Sequence, residues 1–204
     1  MSFSHRLLPA ALLLVLLGGC SESPKTENTK PAAKPPEVLT GRQAFQRIYP
    51  QARAWAADAQ PLRLRSIRLA QVASETGKSG AWEVTFVSAS KASSKTYTYS
   101  AVEAEGNLHE GVFAGPEESG TRGPSVPFLM AAIKTDSDEA YQIAAAKSQD
   151  YIKKHPGMPI SFLLEQTNRF PSLTWRVIWG ESPLSSDYSV FVDASTGKFI
   201  EKAH

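Results

Sequence analysis

Few residues in this chain could do covalent chemistry. Cys20 is the one cysteine among 204 residues, so neither an intramolecular disulfide framework nor a multi-cysteine metal site is available. It follows an uninterrupted apolar run, Leu7–Leu17, and two glycines. The histidines beyond that run, His109, His155 and His204, form no H-E-x-x-H pattern and no recognisable ligand pair. His155 follows Lys153 and Lys154, where positive charge complements the end of a helix. No G-x-S-x-G elbow, S-x-x-K, Walker loop or G-x-G-x-x-G is present. Triads are defined by geometry rather than spacing, but nothing in the sequence points to one. The expectation is a protein that is not an enzyme and that needs no metal or cofactor.

The leader explains the cysteine. Met1–Arg6 carries one firm positive charge, and the apolar run Leu7–Leu17 follows. As a helix this run would span about 16 Å, roughly half of a bilayer's hydrocarbon core, so it reads as a secretory signal over residues 1–19 and not as a permanent span. Its end, Leu17-Gly18-Gly19-Cys20, resembles the lipobox of bacterial lipoproteins: an aliphatic residue, two small ones, then Cys. That resemblance implies a lipidated Cys20 thiol, cleavage just before it and an acylated amine; two or three chains hold a protein stably where one holds it marginally. The competing reading is an ordinary signal peptide with an incidental cysteine. Ser21, and not Asp, follows the Cys, which by the same resemblance favours the outer membrane, facing the periplasm. Losing residues 1–19 removes Arg6 and no acid, so 22 basic and 20 acidic residues become a net charge of +1. Such a balance does not suit a nucleic-acid binder.

Residues 20–38 would form a tether. Ser21–Val38 holds four prolines, three lysines and three glutamates, with almost nothing to bury. Beyond it, two stretches share one plan. Thr40-x-x-Gln43 is a capping-box pattern, and Phe45, Ile48, Tyr49, Ala52, Trp55 and Ala56 follow at helical spacing, with Pro50 expected to break or kink the helix. Asp136-x-x-Glu139 opens a second, longer helix, with Tyr141, Ala144, Ala145, Ser148 and Ile152 on one face, stopping at His155-Pro156-Gly157. Three strand-like runs follow each helix: 62–72, 82–90 and 96–104, then 160–168, 173–180 and 186–194. Trp82-Glu83-Val84-Thr85-Phe86 and Trp175-Arg176-Val177-Ile178-Trp179 both alternate with period two. Their tryptophans lie 93 residues apart, and Val102 and Val192 lie 90 apart, as expected of an internal duplication.

The second stretch, Asp136 to Lys202, resembles the PepSY domain in its acid-capped Ala-rich helix, its Trp175-Arg176-Val177 strand and its Val192-Asp193-Ala194-Ser195-Thr196-Gly197-Lys198 ending. The first stretch matches less well: Glu103 stands where Asp would be, the turn is one residue shorter, and Pro50 interrupts the helix. The resemblance implies an α+β fold of two tandem units, each a helix on a small antiparallel sheet, over residues 39–115 and 128–204, with 116–127 as connector. It also implies a non-catalytic binding or regulatory role, restraining a peptidase in trans or assisting an envelope complex. The expected partners are the membrane, through Cys20, and an envelope protein.

The tryptophan faces read as packing under helices, and Asp193 to Gly197 as a tight turn. Two features leave room for binding. Arg63, Arg65 and Arg68 on a strand, with Arg42, Arg47 and Arg53 on the preceding helix, make residues 40–115 a region of nine basic and six acidic residues. They would suit an anionic envelope polymer or lipid headgroups, or would simply form a solvated face. The connector Gly115–Pro127, rich in Gly, Pro and Ser, is the second, since exposed loops often carry recognition.

Overall fold

A computed structural model describes residues 35–203 apart from 73, 75, 121, 122, 186 and 187. The leader, Cys20 and His204 lie outside the described residues. The described chain is α+β with an antiparallel sheet. In order it contains β1 (Leu39–Thr40), α1 (Gly41–Trp55), β2 (Gln60–Ile67), β3 (Lys78–Ser79), β4 (Ala81–Ser88), β5 (Ser93–Ser100) and β6 (Gly111–Ser119). Then come β7 (Ser125–Val126), α2 (Ser137–Lys147), α3 (Gln149–Lys154), β8 (Ile160–Thr167), β9 (Thr174–Trp179), β10 (Tyr188–Asp193) and β11 (Phe199–Ala203).

The two expected sheets are one. The strand order is β11-β10-β9-β8-β2-β4-β5-β6: four sheet strands from the α1 side and four from the α2–α3 side, mirrored about the β2–β8 junction. At that junction Leu64 faces Leu164 across an antiparallel pair, and both side chains are fully buried. The residue-115 boundary falls inside β6, which pairs with β5 from Gly111 to Ser119; the start of the expected connector is therefore strand. Glu37 and Val38, the last two residues of the expected tether, belong to the folded body. Glu37 pairs with Arg47, the Glu37 carbonyl accepts from the Tyr99 hydroxyl at 3.0 Å, and Val38 packs against a small cluster of Leu69, Val72, Ala81 and Leu108.

Both helices lie on the same sheet face. Trp82, Val84, Phe86, Trp175, Val177 and Trp179 line it and are essentially inaccessible to solvent. Trp82 and Trp175 meet edge to face, with centroids 6.4 Å apart. Each indole N–H also fixes a helix: Trp82 Nε1 donates to the Leu39 carbonyl and Trp175 Nε1 to the Thr135 carbonyl, both at 2.9 Å. These carbonyls belong to the residues just before the two N-caps, Thr40 and Asp136, and both expected capping boxes are formed.

The helix starts interlock. The Ser137 hydroxyl accepts from the Gly41 N–H at 2.8 Å and donates to the Gly77 carbonyl at 2.5 Å, while Asp136 Oδ1 accepts from the Arg42 N–H at 2.9 Å. Gly41 is glycine because a Cβ there would meet the Trp175 ring at 2.6 Å.

Two helix expectations are corrected. Pro50 does not break α1, which continues from Gly41 to Trp55; it and Gln46, whose carbonyl loses its donor, are both on the exposed side, so water can replace the missing bond. The second helix is divided at Ser148, where ψ turns to 14°. Its hydroxyl donates back to the Ala144 carbonyl at 2.7 Å and lies 2.9 Å from the Tyr188 hydroxyl, a back-bond that competes with continued helix.

Ser137→Ala leaves a buried N–H and a buried carbonyl without their partner, and should lower the unfolding free energy by about 2–4 kcal/mol. Gly41→Ala should lower it by about 1–3 kcal/mol through overpacking, although helix propensity alone would favour Ala. Urea titration of both variants checks the two signs. A pH effect follows from Asp58, whose carboxylate accepts from the hydroxyls of Ser88 and Ser90 and from the Ser90 N–H at 2.7–3.0 Å. The Ser88 hydroxyl bond, then the Ser90 N–H, hold its pKa down at about 2 from an ordinary 3.8. A folded-state pKa below the unfolded value gives stability that is complete above about pH 4 and lost as pH falls towards 2. Asp58→Asn should flatten that part of the stability–pH curve.

Candidate functional site

With both helices on one face, the opposite face of the sheet is where strand side chains remain available. One row across it runs Glu201–Phe191–Arg176–Leu163–Arg65–Glu83–Thr98–Phe113, one residue from each of eight strands in register. The next row carries Glu165, Arg63, Thr85 and Thr96. This follows from period two: the residues between the buried tryptophans and valines must point the other way.

The structure brings Arg63 and Arg65 to this face and Arg68 just beyond the end of β2, but it divides their roles. Arg65 forms a two-pronged pair with Glu83, Nε to Oε1 at 2.7 Å and Nη2 to Oε2 at 2.9 Å. That bond raises the Arg65 pKa above its ordinary value against the opposing effect of burial. Arg68 pairs with Glu181 at 2.6 Å across the chain. Among the described residues, Arg63 forms no ion pair. The other expected cations are also engaged: Arg47 with Glu37, the Arg42 Nη2 with the Lys134 carbonyl, and Arg53 over the Tyr49 ring. The Arg63/Arg65/Arg68 group is therefore a mixed-charge surface. It borders an open hollow of about 580 Å³ containing Arg65, Arg68, Glu83, Glu105 and Glu181.

A second constellation on this face is not apparent from sequence spacing. Arg169 lies over both Phe170 and Phe191, at 5.0 and 5.7 Å, and is ion-paired with Glu201. The Phe170 and Phe191 rings are 4.6 Å apart. Arg176 also lies over Phe191, at 5.7 Å, and donates from Nε to the Ser189 hydroxyl at 3.0 Å. Burial lowers the Arg176 pKa, Glu165 opposes that shift and Arg169 adds to it. Together with Pro124, Glu165 and Thr174 these side chains line a cleft of about 280 Å³. Its walls are rings and guanidinium planes, suited to holding a flat or apolar group beside a polar one. The available sequence signal was Arg176 standing between two buried strand residues.

The remaining residues of interest are structural. Asp193 Oδ1 accepts from the Ser195 and Thr196 N–H groups, both at 2.8 Å, and Gly197 has φ of +70°, so this segment is the tight turn. His109 Nδ1 lies 2.7 Å from Glu103, and His155 stacks on Tyr151 at 4.3 Å. Among the described residues no cluster of three His, Cys, Asp or Glu could hold a metal, and no helix is long and apolar enough to cross a membrane.

Neither the protein-family models nor the curated proteins compared with this chain match it. Among solved structures, the chain is similar to a "putative lipoprotein (CD1622)" from Clostridium difficile 630. The identity is 11%, the TM-score is 0.48, and the alignment covers 78% of this chain and 91% of that one.

The two arginine pairs should differ in value. Glu83 is only 16% exposed beside Arg65, whereas Arg68 and Glu181 are 54% and 69% exposed. Arg65→Gln should cost about 1 kcal/mol, because it strands a shielded carboxylate, and Arg68→Gln less than about 0.5 kcal/mol. Urea unfolding of the two variants measures the difference.

Proposed function

We propose that this chain is a lipid-anchored lipoprotein of the bacterial envelope whose folded body is a non-catalytic binding or regulatory module. The observation that carries the reading is Leu17-Gly18-Gly19-Cys20 after an 11-residue apolar run, which puts the chain's one thiol at the residue a lipobox modifies. Outer-membrane placement rests on Ser21. The stretch from Ser21 to about Pro36 is the tether, and could extend to roughly 50 Å at about 3.1 Å per residue.

A binding role is supported by the sheet's open face, where rings and guanidinium groups line a cleft. The PepSY-like role rests on the resemblance of Asp136 to Lys202; such units would restrain a peptidase or assist an envelope complex in trans. An anionic polymer or headgroup on the Arg63/Arg65/Arg68 face is the second reading. It would have to compete with Glu83 and Glu181, which already occupy two of the three arginines.

Cys20→Ser tests the anchoring. Wild-type protein should fractionate with membranes and incorporate labelled palmitate, and the variant should lose both. Unlabelled wild-type protein outside the membrane fraction would overturn the reading.

A further inference from the structure

The cations that the sequence grouped together are mostly compensated, whereas a set scattered along the sequence is not. Lys147 closes α2 and Lys154 closes α3, while Lys202 comes from the edge strand β11. All three border a hollow of about 400 Å³ at the α2–α3 joint. None of them belongs to an ion pair among the described residues, where Arg47, Arg65, Arg68 and Arg169 all do. Among the described residues the one acid in the lining is Asp150, against three lysines.

Helix ends account for part of this pattern, because lysines in a last turn offset the helix dipole. They do not account for Lys202, which belongs to neither helix. Its register partner is the fully buried Val190, so its side chain leaves the sheet on the helix-covered side, beneath the joint. Lys147 is steadied over the Phe199 ring at 5.5 Å. The joint itself is held by hydroxyls, Ser148 donating to the Ala144 carbonyl and lying 2.9 Å from Tyr188. A rigid wall backs them: Tyr151 and Tyr188 stack at 4.1 Å with planes 11° apart.

We propose that this hollow is an anion site for a phosphate group, either free or as the phosphoester of a headgroup. Three ammonium groups around one hollow suit a compact, multiply charged oxyanion, which Lys binds as a point charge; a planar carboxylate is better matched by an Arg fork. The site is separate from the open sheet face and does not depend on the anchoring proposal.

The test is calorimetric titration of the full chain, in detergent at low ionic strength, with inorganic phosphate and with glycerol 3-phosphate. Both should bind saturably. The K147Q/K154Q/K202Q variant should lose at least tenfold in affinity, while K91Q/K134Q/K198Q, matched in charge but away from the hollow, should change less than twofold. Tighter binding of glycerol 3-phosphate would support a headgroup as the source, and equal binding would support free phosphate. Absence of saturable binding to both probes, or equal losses in the two variants, would overturn the proposal.

Discussion

The structure depends on how the two helices are held where they begin. Each starts immediately after a carbonyl that accepts an indole N–H from the sheet below it, Trp82 under Leu39 and Trp175 under Thr135. The two starts are joined by Ser137, whose hydroxyl is shared between the Gly41 N–H and the Gly77 carbonyl. These groups lie where water is excluded, and unmatched polar atoms there carry a large penalty. The arrangement therefore fixes which side of the sheet the helices occupy, and where. Gly41 is part of the same constraint, because the Trp175 ring fills the volume a side chain would need.

From that constraint follows the division of the molecule into two surfaces. One face of the sheet holds the tryptophans and valines under α1, α2 and α3. The other presents Arg63, Arg65, Arg176 and Phe191 in rows set by strand register. The helix side has its own opening, where α2 and α3 part at Ser148 above β11. The open face is nearly balanced in charge because Glu83, Glu181 and Glu201 answer its arginines, and the opening at Ser148 is not. Charge count by sequence region and charge compensation in space thus point to different places. Pairing is a property of the folded neighbourhood, and Arg68 and Glu181 stand 113 residues apart.

Much of the fold was legible because it rests on local chemistry. Thr40 with Gln43 and Asp136 with Glu139 announce capping boxes, and the alternation about Trp82 and Trp175 announces strands with one buried face. What could not be read depends on partners distant in sequence. Strand β6 contains Gly115 and Pro116 and looks like a loop until β5 offers it a ladder. Strand β11 is short, and its pairing with β10 shifts register near Val192. The joining of two halves through Leu64 and Leu164 carries no mark in either strand alone. Pro50 misleads because the cost of proline in a helix depends on whether the orphaned carbonyl faces solvent. The arginine–phenylalanine cleft assembles Arg169 and Phe170 from one loop with Arg176 and Phe191 from two strands, so only the register reveals it.

The central claim is that the mirrored halves behave as one plate, whose shared centre holds the binding surfaces in place. Native-state amide hydrogen exchange tests it most directly, by comparing β4 and β5 with β9 and β10. One plate predicts that the slowest amides of both halves exchange only through global unfolding, with the same free energy and the same denaturant dependence. If one half opens at a markedly lower free energy while the other stays protected, the halves are independent units and the account is contradicted.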